Sequence, residues 1–399
     1  MWFANFFIGG SMTMVVPFLS LYIETLGNFS DKYVQQWSGW VFGITFLTAF
    51  IVSPIWGRYG DRHGRKTFLV VAGFGMALCV FLISFATSVP QLFILRLFMG
   101  LFSGFISMSQ ALISTQTPKH IAGRVLGTLQ TGNVSGSLLG PLLGGVLADS
   151  VGYSMTFQLT SITLLIAAIL VLFGIKEVKV ERPQEAKTRY SSLGVLKQIV
   201  LSPVLLMVMI VSMFVQIANF GIQPILSLYV SELHGAQNLA FFSGLVFSAA
   251  GLGNLLMARN WGKLSDKVGY IKVLILLLVL SAVVYLPGAF VTNIWQLTII
   301  RFLLGVTIGG IIPIRTAYIR QVTPLNIQGE VLGYTTSVRF LGNIVGPALG
   351  GWIAGLYSIS TVFFMTSALL LISGIALTLT ILRQSKNSSR PFRVQPKYK

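Results

Sequence analysis

Twelve long apolar stretches follow one another along this chain, near residues 1–26, 37–57, 67–87, 90–113, 127–149, 154–175, 201–230, 238–259, 270–291, 294–318, 330–356 and 360–382. At about 1.5 Å of rise per residue, each is long enough as a helix to cross ~30 Å of hydrocarbon. The expectation is an all-α membrane protein with twelve transmembrane helices. With 54% hydrophobic residues and only 10% charged, the chain is too apolar for a soluble domain of its length.

The charges sort the connections between these stretches into two kinds. Segments 57–66, 114–126, 176–200, 259–272 and 383–399 hold nearly all the Lys and Arg, whereas those near 27–36, 87–90, 150–153, 231–237 and 357–359 hold only Lys32. Such alternation follows the positive-inside rule and puts both termini in the cytoplasm. It also accounts for the net charge of +18 without a nucleic acid, because the charges form short clusters and not one basic face. The division expected is a six-helix bundle over 1–175, a cytoplasmic linker over 176–200, a second bundle over 201–383 and a basic tail over 384–399. The single cysteine, Cys79, lies in an apolar run and permits no intrachain disulfide. Met1 opens directly in an apolar stretch without a basic leader or cleavage site, so no cleavable signal peptide is expected, and the abrupt start suggests that a few leading residues are absent.

The second half repeats the first. Gln91-Leu-Phe-Ile-Leu-Arg96 through Gly100 matches Gln296-Leu-Thr-Ile-Ile-Arg301 through Gly305 at an offset of 205, as do Gly57 and Asp61 with Gly262 and Asp266. Gly136 through Gly145 matches Gly342 through Gly351 at an offset of 206, and Pro17 through Tyr22 matches Pro224 through Tyr229 at 207. Four matches at nearly one spacing indicate duplication.

Between the second and third apolar stretches stands Gly57-Arg58-Tyr59-Gly60-Asp61-Arg62-His63-Gly64-Arg65-Lys66. Its glycines at 57, 60 and 64 would permit a short water-facing reversal between adjacent helices. The pattern G-x-x-x-D-R-x-G-R-K resembles the signature loop between helices 2 and 3 of the major facilitator superfamily of secondary transporters. That resemblance implies two pseudo-symmetric six-helix bundles around a central cavity, moving against each other to give alternating access. In the fifth stretch Gly136, Gly140 and Gly144 recur on one helical face beside Pro141, which invites close packing of a neighbouring helix. There G-x-x-x-G-P-x-x-G-G is similar to the motif of the drug:proton antiporter branch, whose twelve-helix bacterial multidrug exporters the whole chain resembles. By that resemblance Gly57, Asp61, Arg62, Gly64, Arg65, Gly140 and Pro141 serve gating. Asp61 would face the start of helix 11, near Gly329–Val331, in the outward-open state.

Intramembrane charge costs several kcal/mol unless it has a partner or a watery cavity, so it marks function. Arg96, about six residues or ~9 Å below the outer end of helix 4, is by resemblance the arginine tied to proton coupling. Its expected partner is Glu24, the only carboxylate of the first helix. Arg339 lies near the midplane and Arg315 nearer the inner end of helix 10. Gln216, Asn219, Phe220 and Gln223 form an i, i+3, i+4, i+7 stripe suited to a cavity. Gln110, Gln130, Asn133, Tyr318 and Tyr334 are further candidates for substrate contact. The acids Glu24, Asp149, Glu232 and Glu330 sit at helix ends, so the cavity is expected to be neutral to positive. Two transport readings follow: proton-coupled efflux of small amphiphiles from a bacterial cell membrane, or dedicated export or flipping of an anion such as a carboxylate siderophore or a lipid. Expected partners are a small-molecule substrate, protons and membrane lipids, with the protein a monomer. No P-loop, zinc cluster or catalytic triad stands in the sequence, so neither cofactor nor enzymatic chemistry is expected.

Overall fold

Pro17 has no N–H to give to a helix, and the first span divides around it. In the computed structural model, which describes residues 1–118, 121–177, 192–324 and 327–386, α1 (Trp2–Met14) gives way to a 3-10 turn at Val16–Phe18 before α2 (Leu19–Thr25) completes the crossing. Ser30 then caps α3 (Asp31–His63), its hydroxyl accepting from the Tyr33 N–H at 3.4 Å. After α4 (Arg65–Ile83), the fourth span is again in two pieces, α5 (Val89–Leu101) and α6 (Phe105–Gln116), separated by Gly104 at φ 105°. Two unbroken helices, α7 (Ala122–Val151) and α8 (Tyr153–Gly174), finish the first half.

A short α9 (Ser192–Leu201) leads into the second half, where the breaks recur. The 3-10 turn at Gln223–Ile225, carrying Pro224, parts α10 (Pro203–Gly221) from α11 (Leu226–His234). Next come α12 (Leu239–Val268) and α13 (Tyr270–Tyr285), then α14 (Ile294–Ile308) broken from α15 (Ile311–Val322), and last α16 (Gln328–Leu356) and α17 (Ile359–Lys386). Eleven helical spans among the described residues are apolar enough by composition to cross a membrane, and α16, 29 residues long, is the twelfth. It carries Glu330, Arg339 and Asn343. Large apolar side chains such as Ile55, Leu78, Ile162, Phe173, Leu256 and Ile372 are exposed around the outside, as a lipid-facing surface requires.

One expectation needs correction. Segment 57–66 is not a ten-residue hinge, because helix α3 continues to His63 and only Gly64 leaves helical geometry, at φ 102°. That angle is costly to any residue with a Cβ, so a single glycine suffices for the turn. The segment expected as a linker, 176–200, ends in a helix. Its second half begins α9, which buries Val195 and Ile199. Residues 178–191 lie outside the described part of the chain.

Glycine stripes set the helix packing inside each half. Gly136, Gly140 and Gly144 of α7 press against the backbone of α1 at Phe6, Gly10 and Met14, and Gly342, Gly346 and Gly350 of α16 press against α10 at Met213, Ile217 and Gly221. A Cβ on Gly346 would stand 2.9 Å from the Ile217 carbonyl, closer than real contacts allow. The periodicity seen in the fifth span is thus a close helix contact, made twice.

Call the end holding residues 57–66 and 114–126 the basic end, and the opposite one the far end. The halves meet along two seams, α3 against α16 and α7 against α12. Gly39 lies on the Pro347 carbonyl, Gly43 on that of Ile344 and Gly351 on that of Gln35; across the other seam Gly244 lies on Pro141 and Gly145 on Ala240. Ser248 donates to the Leu138 carbonyl at 2.9 Å, and Ser227 donates to that of Pro17. Every one of these contacts falls in the half of the molecule nearer the far end. Toward the basic end the packing opens: among the described residues, a Cβ on Gly127 of α7, Gly262 of α12 or Gly333 of α16 would meet no atom of another helix within 4 Å. Among the described residues, the contacts between the bundles gather toward the far end and thin out toward the basic end.

Candidate functional site

A buried arginine occupies the same place in each half. Arg96 of α5 is 6% exposed and Arg301 of α14 is 3% exposed, and each guanidinium carbon lies 5.9 Å from a ring centroid, Phe42 and Phe247 respectively. Both pairs are related by 205 residues, within cation–π range. The same offset relates Trp56, donating to the Leu101 carbonyl at 2.5 Å, to Trp261, donating to that of Val306 at 2.7 Å. These indoles brace the broken fourth and tenth spans just below the arginines. Neither arginine is fully satisfied: Nε and Nη2 of Arg96 and Nε of Arg301 have no hydrogen-bond partner among the described residues.

Glu24 and Arg96 are not brought together here. Glu24 is exposed at the far end of α2 and its electrostatic neighbour is Asp31, itself an acid, which also stands in range of Glu232. The far end, where the bundles close, therefore gathers carboxylates from both halves.

Between the bundles runs a cleft of about 240 Å³, walled on one side by Thr13, Val16, Ser137 and Pro141 and on the other by residues of α10, α12, α14 and α15. Asn219 and Gln223 line it, as the helical stripe implies. Gln216 and Phe220, from the same stripe, have other duties. The Gln216 amide donates to Asn343 Oδ1 at 2.9 Å, tying α10 to α16, and Phe220 packs edge-on against Phe46 at 5.2 Å across the seam. Arg301, Asn254 and Phe247 complete the cleft wall.

Other candidates divide similarly. Gln110 donates to Gln130 at 2.7 Å, joining α6 to α7 near the basic end, and the Asn133 carbonyl oxygen is buried without a partner beside Gly9. Arg315 is buried and Arg339 half-buried, each with an unpartnered Nε, and they stand within electrostatic reach of one another. Tyr334 donates to Glu330 Oε1 at 3.3 Å. Tyr318 lines a groove with Ile271, Lys272 and Leu382 at the basic end.

Of the residues expected to serve gating, Gly140 packs on Gly10 within the first half while Pro141 sits on the seam beneath Gly244 and also lines the cleft. Arg65 donates to the Ala111 carbonyl and to Thr115 Oγ1 at 3.0 Å, binding the turn to α6. Glu177 accepts from the Arg65 and Lys66 N–H groups at 2.8 and 2.9 Å, so a linker carboxylate caps α4. The side chains of Asp61 and Arg62, and the surroundings of Gly57, lie outside the described part of the structure. A second carboxylate does at the far end what was expected of Asp61. Asp149, at the end of α7, accepts from the Ala240 and Phe241 N–H groups at 3.1 and 2.7 Å, pinning the start of α12 in the other half.

Sequence reasoning passed over Arg301 and Asp149 as site residues. Arg301 was within reach as the counterpart of Arg96 at the repeat offset; Asp149 carries no such signal, since its role depends on which helix start lies opposite.

Comparison with known proteins accords with this architecture. The Major Facilitator Superfamily family model matches residues 1–258 and 208–397. An uncharacterized MFS-type transporter, YuxJ of Bacillus subtilis, is 52% identical over 369 residues, covering 92% of this chain and 94% of that one. The multidrug resistance protein MdtG of Klebsiella pneumoniae is 38% identical over 393 residues, with 98% and 95% covered, and MdtG of Salmonella schwarzengrund is 40% identical over 375 residues, with 94% and 92% covered. A bacterial homologue of the human lysosomal transporter Spinster, solved inward-facing and unoccupied, superposes with a TM-score of 0.76 at 14% identity, over 99% of this chain and 96% of that one. Two six-helix halves related by a 205-residue repeat, a polar cleft between them and matches spanning the whole chain lead to one conclusion: the protein belongs to the Major Facilitator Superfamily of membrane transporters.

Proposed function

We propose that this protein is a proton-coupled exporter of small amphiphilic molecules, an antiporter of the multidrug type in a bacterial cell membrane. The observation that carries the reading is the placement of the inter-bundle contacts, which close the far end and leave the cleft open toward the basic end. By the positive-inside rule the basic end is cytoplasmic, which puts both termini inside and makes this the cargo-loading state. Similarity to multidrug resistance proteins at about 40% identity supports the substrate class. The cleft wall, amides and apolar groups with an arginine and no carboxylate, suits neutral, zwitterionic or weakly acidic cargo better than cations.

Glu24 is the proposed proton carrier and Arg96 its deep partner. They are apart in this state, so the reading places their encounter in the opposite one, where rearrangement at the far end would alter what faces Glu24. Glu24→Gln removes the titrating group and keeps the shape. In proteoliposomes it is expected to abolish transport driven by a pH gradient while substrate binding stays measurable; proton-driven flux at the wild-type rate would remove Glu24 from the mechanism.

A further inference from the structure

Arg301 is the one arginine that lines the inter-bundle cleft, among the described residues, and the first bundle's counterpart, Arg96, does not reach it. It is only 3% exposed, its Nε has no partner among the described residues, and its guanidinium carbon lies over the Phe247 ring at 5.9 Å. Beside it on the cleft wall stand the side-chain amides of Asn219, Gln223 and Asn254, which can donate. No carboxylate among the described residues lines the cleft to neutralise the guanidinium. A buried cation left in this condition costs several kcal/mol unless something else supplies the negative charge. Tyr285 is within electrostatic reach but is neutral and spends its hydroxyl on the Ala218 carbonyl at 3.4 Å. Around the polar spot, Val16, Leu304, Ile308 and Ile312 present an apolar wall from both bundles.

We infer that Arg301, with Asn219, Gln223 and Asn254, forms an acid-headgroup subsite, and that the favoured cargo is an amphiphile bearing a carboxylate or phosphate on an apolar body. The inference rests on the export reading for the purpose of the site and adds its chemical class. Guanidinium and amide donors converge on the acid group, and the apolar wall takes the body. Arg96, the first bundle's counterpart, does not line this cleft, so the charge lies on one side only, and an acid cargo is held by the second bundle while the first slides past it.

The test uses the full chain in lipid nanodiscs and three probes with one ring system: 1-naphthaleneacetate, 1-naphthaleneacetamide and 1-naphthylmethylammonium. Calorimetry of the wild type is expected to show the carboxylate bound at least about tenfold more tightly than the amide, the worth of one charge-assisted contact, and the ammonium bound most weakly of the three. Arg301→Gln is expected to erase that preference and leave amide binding within about twofold, and Arg301→Lys to keep most of it. Equal binding of acid and amide by the wild type overturns the inference, whether or not either variant accumulates as folded protein. So does a preference that survives Arg301→Gln, or a matched loss of both probes in the two variants. Flux of the neutral amide in proteoliposomes separates this from the broader reading. If the amide is exported without any preference for the acid, the subsite fails and export stands; if the acid is preferred yet nothing moves against a proton gradient, export fails and the subsite stands.

Discussion

Arg339 of α16 and Arg315 of α15 stand close enough to repel. Two like charges at that depth are costly, and an anion passing between them would relieve the cost. Arg339→Ala is therefore expected to weaken an anionic substrate by about 1.5–3 kcal/mol and a neutral dye far less, measured by binding competition. Equal losses for both would assign Arg339 to the fold. At this scale the sequence was legible for residue type and poor for direction. Asn219 lies inside α10, which is unbroken from Pro203 to Gly221, so its facing follows the helical phase; Gln223 also lines the cleft, from the 3-10 turn that follows. Tyr318 lies in α15, beyond the break at Gly309 and Gly310, where the phase of α14 no longer fixes facing, and it lines a groove at the basic end. Gln216 misled for another reason: a polar stripe reads the same whether it meets a cavity or, as here, a partner amide on Asn343.

A carboxylate holds a helix start at the far end, a second is expected to do so at the basic end, and the two are predicted to act in opposite senses. Asp149 holds the N-terminus of α12 across the far-end seam, a charge against unpaired N–H groups worth about 0.3–1 kcal/mol. Asp149→Asn is expected to keep one acceptor and lose the charge, moving the population toward an open far end by roughly two- to fivefold. Asp61 is expected to do the same for the start of α16 when the basic end closes, so Asp61→Asn should move the population the other way and lower transport. Glu330, already bonded to Tyr334, stands at that same helix start and would temper the effect. Spin-label distances across each end report both variants; shifts of the same sign would contradict paired latches. Helix existence and order were legible from the apolar runs, but the interruptions were not. Pro17 and Pro224 lie inside apolar runs, where a proline can kink a helix or end it, and only packing decided for a 3-10 turn.

The molecule as a whole is two copies of one bundle held along two seams, and the repeat at offsets of 205 to 207 residues made the duplication readable from the chain alone. Which end the seams occupy was not readable, because one sequence must close at either end in turn and carries the contacts for both. Gly39, Gly43 and Gly351 on one seam and Gly145 and Gly244 on the other allow backbones to touch at the far end, and such close contact is the natural pivot for rocking. The central claim is that closing one end opens the other. It is tested most directly by double electron–electron resonance on two label pairs in nanodiscs, Arg124 with Lys263 at the basic end and Ser150 with Gln237 at the far end. All four positions are exposed, and the single native cysteine, Cys79, is buried. When a proton gradient or substrate shifts the protein, the account predicts that the basic-end distance shortens as the far-end distance lengthens. Distances that change together, or a far-end pair that stays closed through turnover, would contradict it.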